Sequence, residues 1–266
     1  MGRRVPAVRM ASTSSSGNSF AKLTDVTTGG GGGGGGGFDI LTAVAGLTLW
    51  AGSVGYAFFL SPNQTPYRDM YFLMKLTGLG ENDGVQVNAV FTAICLMMGV
   101  WPCIYSALLI PSARSGNKVP AWPFVSLSFA FGVFALGPYF ALWKPSKQAQ
   151  SPPAQQELQG WRNLGLKATE SKIAGFVLLA GNIILLGQAA FAGADSWTEY
   201  FQLFRESRFV HVTSLDFTAL TLFSPFWMWN DADKRQWEGR QLLPILSCIP
   251  FLGPAIYLAL RPKAQS

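Results

Sequence analysis

The sequence has little of what soluble enzymes and disulfide-stabilised proteins are built from. Its 266 residues include three cysteines, a single histidine and only 13% charged residues. Cys95 and Cys103 lie about 12 Å apart along a helix, which is too far for a disulfide, and Cys248 stands alone. Neither a zinc-type spacing nor a serine nucleophile elbow nor a phosphate-binding loop is present. The sequence therefore predicts no disulfide framework, no metal site and no cofactor.

Apolar residues make up 49% of the chain, and they are gathered into blocks. Six blocks are long enough to cross a hydrocarbon core of about 30 Å as helices. These are Ile40–Leu60, Val87–Ile110, Trp122–Trp143, Ile173–Ala192, Phe209–Trp229 and Leu243–Leu260. We therefore predict an all-α fold: a polytopic helical membrane protein with about six transmembrane helices in the lipid bilayer.

The charge pattern agrees with this class. The formal net charge is +6, but the basic residues sit at the edges of the apolar blocks, as Lys144 and Arg261 do. Basic residues in these places are typical of membrane-flanking loops and not of a surface that binds nucleic acid. We therefore predict no nucleic-acid partner.

The N-terminal segment, residues 1–37, is arginine-rich, contains a serine cluster and has no acidic residue before Asp25. This composition is typical of a plastid transit peptide, and the alternative is a disordered tail without a targeting role. The nine-glycine run Gly29–Gly37 that closes the segment predicts a flexible linker.

The second half of the chain repeats short patterns of the first half in the same order. The clearest pairs are Phe91-Thr-Ala-Ile-Cys-Leu96 with Phe217-Thr-Ala-Leu-Thr-Leu222, and Leu136-Gly-Pro138 with Leu252-Gly-Pro254. They predict a 3+3 internal repeat, with membrane repeats over 38–145 and 173–262 and a surface linker over 146–172. The alternative is coincidence among the few residue types that membrane helices use.

Each predicted repeat has the order helix, interfacial segment, helix, helix. The first interfacial segment, Thr65–Lys75, begins with an N-cap threonine and a proline at the first helical position. Because three crossings is an odd number, consecutive repeats would have opposite orientations. The C-terminus would then lie on the side of the membrane opposite to the linker.

A few polar side chains fall inside or beside the apolar blocks and form the candidate site. An acid inside a membrane helix costs on the order of 2.5–3.5 kcal/mol, so Asp216 is expected to face a partner or water. Together with amide side chains it can line a polar pocket; the alternative is that these residues are interhelical hydrogen-bond partners. The histidine lies near a helix start and is predicted to be an interface residue. The candidates are Asp216, His211, Asn88, Asn182 and Gln188.

The last block of each predicted repeat contains a Leu-Gly-Pro sequence. Pro138 and Pro254 each follow a leucine and a glycine. Because proline interrupts helical hydrogen bonding, we predict a helix kink at each of them.

The C-terminal quarter combines Arg208-Phe209, then Asp216, then Lys234-Arg235, then an aliphatic run that ends at Arg261. Over residues 200–262 this pattern resembles a family of small integral membrane proteins of plastids and cyanobacteria whose function is unknown. The resemblance implies a chloroplast membrane, the thylakoid before the inner envelope, with other membrane proteins there as partners.

Three functions fit these observations. The first is an accessory or assembly role in photosynthetic membranes without a reaction of its own. One alternative is a carrier of a small molecule or ion with a site between the two repeats. The other is a membrane enzyme of isoprenoid or lipid metabolism in which Asp216 acts as an acid or base.

Overall fold

The structure, a computed structural model, describes residues 35–113, 115–145 and 164–262, with side chains described from residue 40 onward. Within these ranges every regular element is helical, which confirms the predicted all-α class. The elements are α1 (Gly35–Gly55) with a π-helical turn (Tyr56–Leu60), α2 (Pro66–Leu76), α3 (Ala89–Ser112), α4 (Trp122–Leu142), α5 (Leu164–Thr169), α6 (Lys172–Ala190), α7 (Ala194–Glu206), α8 (Arg208–Lys234), a 3₁₀ turn (Glu238–Leu242), α9 (Leu243–Ser247) and α10 (Leu252–Leu260).

Some of the predicted segments fall outside this description. Most of the transit-like segment and of the linker, residues 1–34 and 146–163, lies outside the described residues. Helix α1 begins at Gly35, so the last three glycines of the predicted flexible linker are helical.

Four helices are long and apolar enough to cross a membrane: Ile40–Leu60, Ala89–Ser112, Trp122–Leu142 and Lys172–Ala190. They indicate a helical membrane protein. Helix α8 is not among the four, although its 27 residues make it the longest helix described. It carries His211, Asp216 and several serine and threonine residues along its length.

Helix α4 reverses direction in its middle. Gly132 has φ 51° and ψ −130°, which divides the helix into two arms, α4a (122–131) and α4b (133–142). The ring centroids of Phe124 and Tyr139 are 5.6 Å apart, whereas a straight helix would separate these residues by about 22 Å. Trp143 Nε1 donates a hydrogen bond to the Ala113 carbonyl at 3.1 Å. Helix α4 therefore ends beside the loop from which it starts, and we call it hairpin 1.

Helices α9 and α10 form a second hairpin, hairpin 2. The turn between them includes Phe251, whose φ of 62° lies in the left-handed region. The ring centroids of Trp237, before the hairpin, and Tyr257, in its second arm, are 5.2 Å apart. Arg235 also donates a hydrogen bond to the Pro262 carbonyl at 3.1 Å. The chain therefore returns to the end of the bundle at which it left α8.

These two hairpins change the predicted membrane topology. Six crossings are not confirmed, because two of the six predicted segments fold back on themselves. The described end of the chain lies beside the last residues of the predicted linker, since the Arg261 guanidinium donates to the Thr169 carbonyl at 2.6 Å. The predicted kinks are also displaced: the chain reverses at Gly132 and before Leu252, ahead of Pro138 and Pro254.

Helices α3 and α8 run parallel through the centre of the bundle. Phe91 lies against Phe209 with ring centroids 5.2 Å apart, and Trp101 lies against Phe217 at 6.2 Å. At the far end of both helices the Ser112 hydroxyl donates to Asp231. We call the end where α3 and α8 begin the upper end, and the end from which both hairpins enter the lower end.

The short helices α2 and α7 both lie at the upper end. Arg68 in α2 forms an ion pair with Glu206 in α7 at 2.9 Å. Asp69 in α2 accepts a hydrogen bond from the Phe209 amide, in the first turn of α8, at 3.1 Å. Hydrogen bonds from Gln202 and from Arg68 lower the pKa of Glu206 below its ordinary value. The helix predicted within Thr65–Lys75 is therefore present as α2.

The same order of elements occurs twice: long helix, short upper helix, long helix, hairpin. Structural landmarks recur at a spacing of 119 residues. They are the N-cap residues Asn88 and Ser207, the bonded pair Ser112 and Asp231, and the left-handed hairpin residues Gly132 and Phe251. The matching sequences that start at Phe91 and Phe217 are 126 residues apart, so they are seven residues out of step with the structure.

Candidate functional site

An elongated groove lies between α1, arm α4b of hairpin 1 and the upper half of α8. Its volume is about 460 Å³, which is in the range of small-molecule sites. Its lining is almost wholly apolar, with Asp216 as its only ionisable carboxylate. The lining residues include Thr42, Gly46, Trp50, Ser53, Tyr56 and Ala57 of α1 and its π-turn, Val133, Phe134, Gly137, Phe140 and Ala141 of α4b, and Asp216, Ala219 and Phe223 of α8.

The groove exists because α1 touches α4b at only a few points. At the lower one, a Cβ atom added to Gly46 would approach the Ala141 Cβ to 2.8 Å, so the two backbones are in close contact there. At the middle one, Trp50 Nε1 donates to the Phe134 carbonyl at 2.8 Å. Pro138 has no N–H group and leaves that carbonyl without its helical donor. The tryptophan therefore satisfies the group that the proline frees.

The upper end of the groove is closed by a contact between Tyr56 and His211. His211 Nδ1 lies 2.9 Å from the Phe204 carbonyl, which can only accept, so Nδ1 carries the proton. In the neutral imidazole Nε2 is then an acceptor. The Tyr56 hydroxyl, 2.9 Å away, donates to it. His211 is buried, and its two hydrogen bonds tie the π-helical turn of α1 to the start of α8.

Asp216 lies at the reversal of hairpin 1. Its Oδ1 accepts a hydrogen bond from the Val133 amide at 2.7 Å, the first amide of α4b. A Cβ atom added to Gly132 would lie 1.9 Å from Oδ2, so only glycine leaves room for the carboxylate. The positive end of the α4b dipole faces the acid and stabilises its charge. The side chain is 7% exposed, and among the described residues Oδ2 has no hydrogen-bond donor.

The other predicted site residues lie elsewhere. Asn88 precedes α3: its Oδ1 caps Phe91 N at 3.0 Å and its Nδ2 donates to Glu199 at 2.7 Å. Asn182 donates to the Phe251 carbonyl at 3.3 Å in hairpin 2. Gln188 is exposed on α6. The predicted polar pocket of Asp216 with the amides is therefore not formed, and Asp216 and His211 contribute separately to one groove.

Arg261, which the sequence predicts to be a membrane-flanking residue, is instead buried in a group of charges at the lower end. Asp231 accepts hydrogen bonds from Arg235 and Arg261, each at 2.9 Å, and from Tyr257 at 2.7 Å. Glu170 accepts a further one from Arg235 at 2.9 Å. Burial alone would lower the pKa of Arg235, but Glu170 and Asp231 raise it above its ordinary value. We call Glu170, Asp231, Arg235 and Arg261 the ion cluster.

Every member of the ion cluster is paired with another member. Arg261 also donates to the Ala107 carbonyl at 2.8 Å, which Pro111 leaves without a helical donor. The two acids and two arginines balance in charge, and together they join α3, α5, α8 and the end of hairpin 2. The ion cluster is a structural anchor of the lower end, and the sequence signal for it was the pair Lys234-Arg235 with Asp231 four residues before Arg235.

Comparison of the chain with protein-family models, curated proteins and solved structures finds no match. Within the described ranges no three His, Cys, Asp or Glu side chains are grouped as metal ligands would be. The geometry of the groove is therefore the principal guide to function.

Proposed function

We propose that this chain is an integral membrane protein that binds an elongated lipophilic molecule in the groove beside α1. The observation that carries the proposal is an apolar cavity of about 460 Å³ with a single buried carboxylate at its side. Pockets of this size with an apolar lining and few polar groups are typical of small-molecule sites. Only 6% of the residues in the apolar stretch of α1 are buried, so a ligand can enter the groove from the lipid beside this helix.

The arrangement in the membrane that fits this proposal has four crossings, by α1, α3, α6 and α8. Both hairpins enter from the lower side and return to it. Two crossings in each half is an even number, so the halves have the same orientation, as in parallel repeats. This proposal keeps the predicted duplication and replaces the inverted 3+3 arrangement of six crossings.

Labelling of single cysteines with a membrane-impermeant maleimide tests the topology in vesicles, after the native cysteines are replaced. Gly116→Cys precedes hairpin 1 and Pro145→Cys follows it. We expect both to be labelled from the same side, and Tyr67→Cys in α2 to be labelled from the other. Labelling of positions 116 and 145 from opposite sides would show that α4 crosses the membrane.

For the biological role we propose an accessory protein of chloroplast membranes that binds its ligand without converting it. The plastid location rests on the composition of the N-terminal segment and on the resemblance over residues 200–262. The absence of a reaction is supported at Asp216, because its described hydrogen-bond donor is a backbone amide and not a second acid or base. A fluorescent fusion of the protein found outside plastids would contradict the proposed plastid location.

The carrier alternative has support from the position of the groove, which is formed by α1 and α4b of the first half and α8 of the second. It would use Asp216 without Asn88 and Asn182. A carrier and an accessory binding protein differ in whether the bound molecule crosses the membrane. Transfer of diazirine-bearing hexadecanol across the membrane of proteoliposomes distinguishes the two.

The binding proposal is tested by photo-crosslinking the full-length protein in lipid nanodiscs with a diazirine-bearing hexadecanol. We expect labelled peptides from α1, α4b and α8. Ala219→Trp places a large ring in the groove and should abolish this labelling. Ala190→Trp, on the exposed side of α6, is the matched control and should leave it unchanged. Equal labelling of both variants would contradict the proposal.

A further inference from the structure

We infer that the groove selects a lipid alcohol, a molecule with a long apolar chain and a hydroxyl group that donates a hydrogen bond to Asp216 Oδ2. The inference rests on the proposed function and adds the chemical class of the ligand and the residue that recognises it. It is carried by the balance of hydrogen-bond donors and acceptors along the groove.

Most of the donors that line the groove are already used within the protein. Trp50 Nε1 donates to the Phe134 carbonyl at 2.8 Å. The Ser53 hydroxyl donates to the Trp50 carbonyl at 2.7 Å. The Tyr56 hydroxyl donates to His211 Nε2 at 2.9 Å. A ligand that can only accept hydrogen bonds, such as a ketone, an ester or a quinone, therefore finds no donor at these three positions.

An acceptor, in contrast, is available. A carboxylate can accept about four hydrogen bonds, and the Val133 amide supplies one, to Oδ1 at 2.7 Å. Oδ2 receives none from the described residues, and the residue, which is 7% exposed, lines the groove. A polar acceptor that faces an apolar groove without a partner is costly. A hydroxyl group from the groove would remove that cost.

The charge of the site favours an alcohol over an amine. Asp216 is already stabilised by the amide and the dipole at the start of α4b, so a ligand need not bring a full positive charge. An ammonium group would have to leave water for an apolar groove, which is unfavourable unless its pairing is excellent. An acid ligand would meet Asp216 with a like charge. A neutral hydroxyl avoids both costs.

The shape of the groove sets the direction of the chain. Asp216 lies at the apex of hairpin 1, level with the contact between Trp50 and Phe134. From there the lining continues toward the lower end past Phe140, Ala141 and Gly46 to Thr42. From Trp50 to Thr42 is about 12 Å along α1. The hydroxyl would therefore sit at mid-depth, with the apolar chain running toward the lower side.

The test compares diazirine-bearing hexadecanol with its methyl ether and with the corresponding amine, in nanodiscs that contain the full-length protein. The ether has the same chain but no donor. We expect the alcohol to label groove peptides at least about tenfold more than the ether, the effect of one hydrogen bond to a charged group. We also expect the alcohol to label more than the amine.

Asp216→Asn gives a second readout. The amide oxygen can still accept from Val133 N, and the NH₂ group now offers a donor to the groove. We expect the preference for the alcohol over the ether to disappear in this variant. Asp195→Asn, on the exposed face of α7, removes the same charge away from the groove and should keep the wild-type preference.

The two levels of the proposal fail in different ways. If alcohol and ether label the groove equally, or if the amine labels it best, the lipid-alcohol inference is wrong and the binding function stands. If none of the probes labels groove peptides, both are wrong. Because the alcohol and ether are compared on the wild-type protein, the test does not depend on the folding of any variant.

Discussion

The turns of the two hairpins lie at the same depth in the bundle, where each contacts one of two neighbouring residues of α8. The side chains at these two contacts differ in polarity. Hairpin 1 turns at Gly132 against the carboxylate of Asp216. Hairpin 2 turns at Phe251, whose ring centroid lies 5.7 Å from that of Phe217 and 5.3 Å from that of Trp101. The first apex is therefore polar and adjoins the groove, while the second is filled by aromatic rings.

The outer helices differ in the same sense. Helix α6 packs closely on hairpin 2: a Cβ atom added to Gly175 would lie 2.9 Å from the Leu258 carbonyl oxygen. Among the described contacts, helix α1 meets hairpin 1 at Gly46 and Trp50 and reaches α8 through Tyr56. One arrangement of helices thus provides a more closely packed half, with a cavity of about 280 Å³ beside Gly175 and Leu258, and a more open half with the groove of about 460 Å³. This difference supports our proposal that the first half holds the ligand and the second half acts as the scaffold.

The lower ends of the hairpins differ as well. Hairpin 1 is held by neutral hydrogen bonds, for example from the Tyr139 hydroxyl and from Trp143 Nε1 to the Ala113 carbonyl. Hairpin 2 is held by the ion cluster, through Arg261 and Asp231. Because removing one member of a buried ion pair leaves the other charge without a partner, the scaffold half is more vulnerable to a single substitution.

The largest effect is therefore expected from Asp231→Ala. It leaves Arg235 and Arg261 buried without their shared carboxylate, and we expect a loss of about 3–5 kcal/mol in the free energy of unfolding. Thermal unfolding of the purified protein in detergent measures it. Asp233→Ala, two residues away and exposed, is the control and should be nearly neutral. Similar melting of the two variants would show that the ion cluster does not anchor hairpin 2.

The next effect concerns the apex of hairpin 1. Gly132→Ala places a side chain at φ 51° and within 1.9 Å of Asp216 Oδ2. Backbone strain of this kind costs on the order of 1–3 kcal/mol, so with the added contact we expect about 3 kcal/mol. Gly181→Ala is the control, because a Cβ atom at Gly181 has no neighbour within 4 Å. The yield of folded protein and its melting temperature measure the effect. Equal values for Gly132→Ala and Gly181→Ala would contradict the reversal of the chain at Gly132.

A smaller difference is expected between the donors that serve the two hairpins. Trp50→Phe leaves the Phe134 carbonyl without a donor, and we expect a loss of about 1–2 kcal/mol together with weaker probe labelling of the groove. Asn182→Leu removes a hydrogen bond to Phe251 but also removes a buried Oδ1 atom that has no partner. We expect it to be nearly neutral. A larger loss of stability in Asn182→Leu than in Trp50→Phe would contradict this difference between the two hairpins.

The helices themselves could be predicted from the sequence, and their paths could not. The apolar blocks and the proline at the start of α2 placed most of the helices correctly. The hairpins were missed because a segment such as Trp122–Leu142 has the length and hydropathy of a crossing helix. Glycine is common in membrane helices, so Gly132 gave no distinct signal; the left-handed conformation that requires it depends on tertiary packing against Asp216.

The candidate site was predictable in part, for a related reason. An acid inside an apolar block marks a position that needs a partner, which singled out Asp216. Its partner is a backbone amide, and no sequence pattern identifies an amide that a reversal has freed. Arg261 and Lys234-Arg235 illustrate the opposite failure. Charges at the end of an apolar block usually face the membrane surface, and hydropathy does not show that Arg261 is only 4% exposed.

The smallest effect on stability is expected at Asp216 itself, and it separates recognition of a ligand from support of the fold. In Asp216→Asn the side-chain oxygen can still accept from Val133 N, so hairpin 1 keeps its hydrogen bond and loses only a charge. We expect a change of less than about 1 kcal/mol and normal accumulation in the membrane. Asp216→Leu leaves the amide without an acceptor and should cost about 1–3 kcal/mol more. Melting temperatures of the two variants against wild type measure this difference. If Asn destabilised the protein as much as Leu, the charge itself would be holding hairpin 1, and Asp216 would belong to the scaffold and not to the groove.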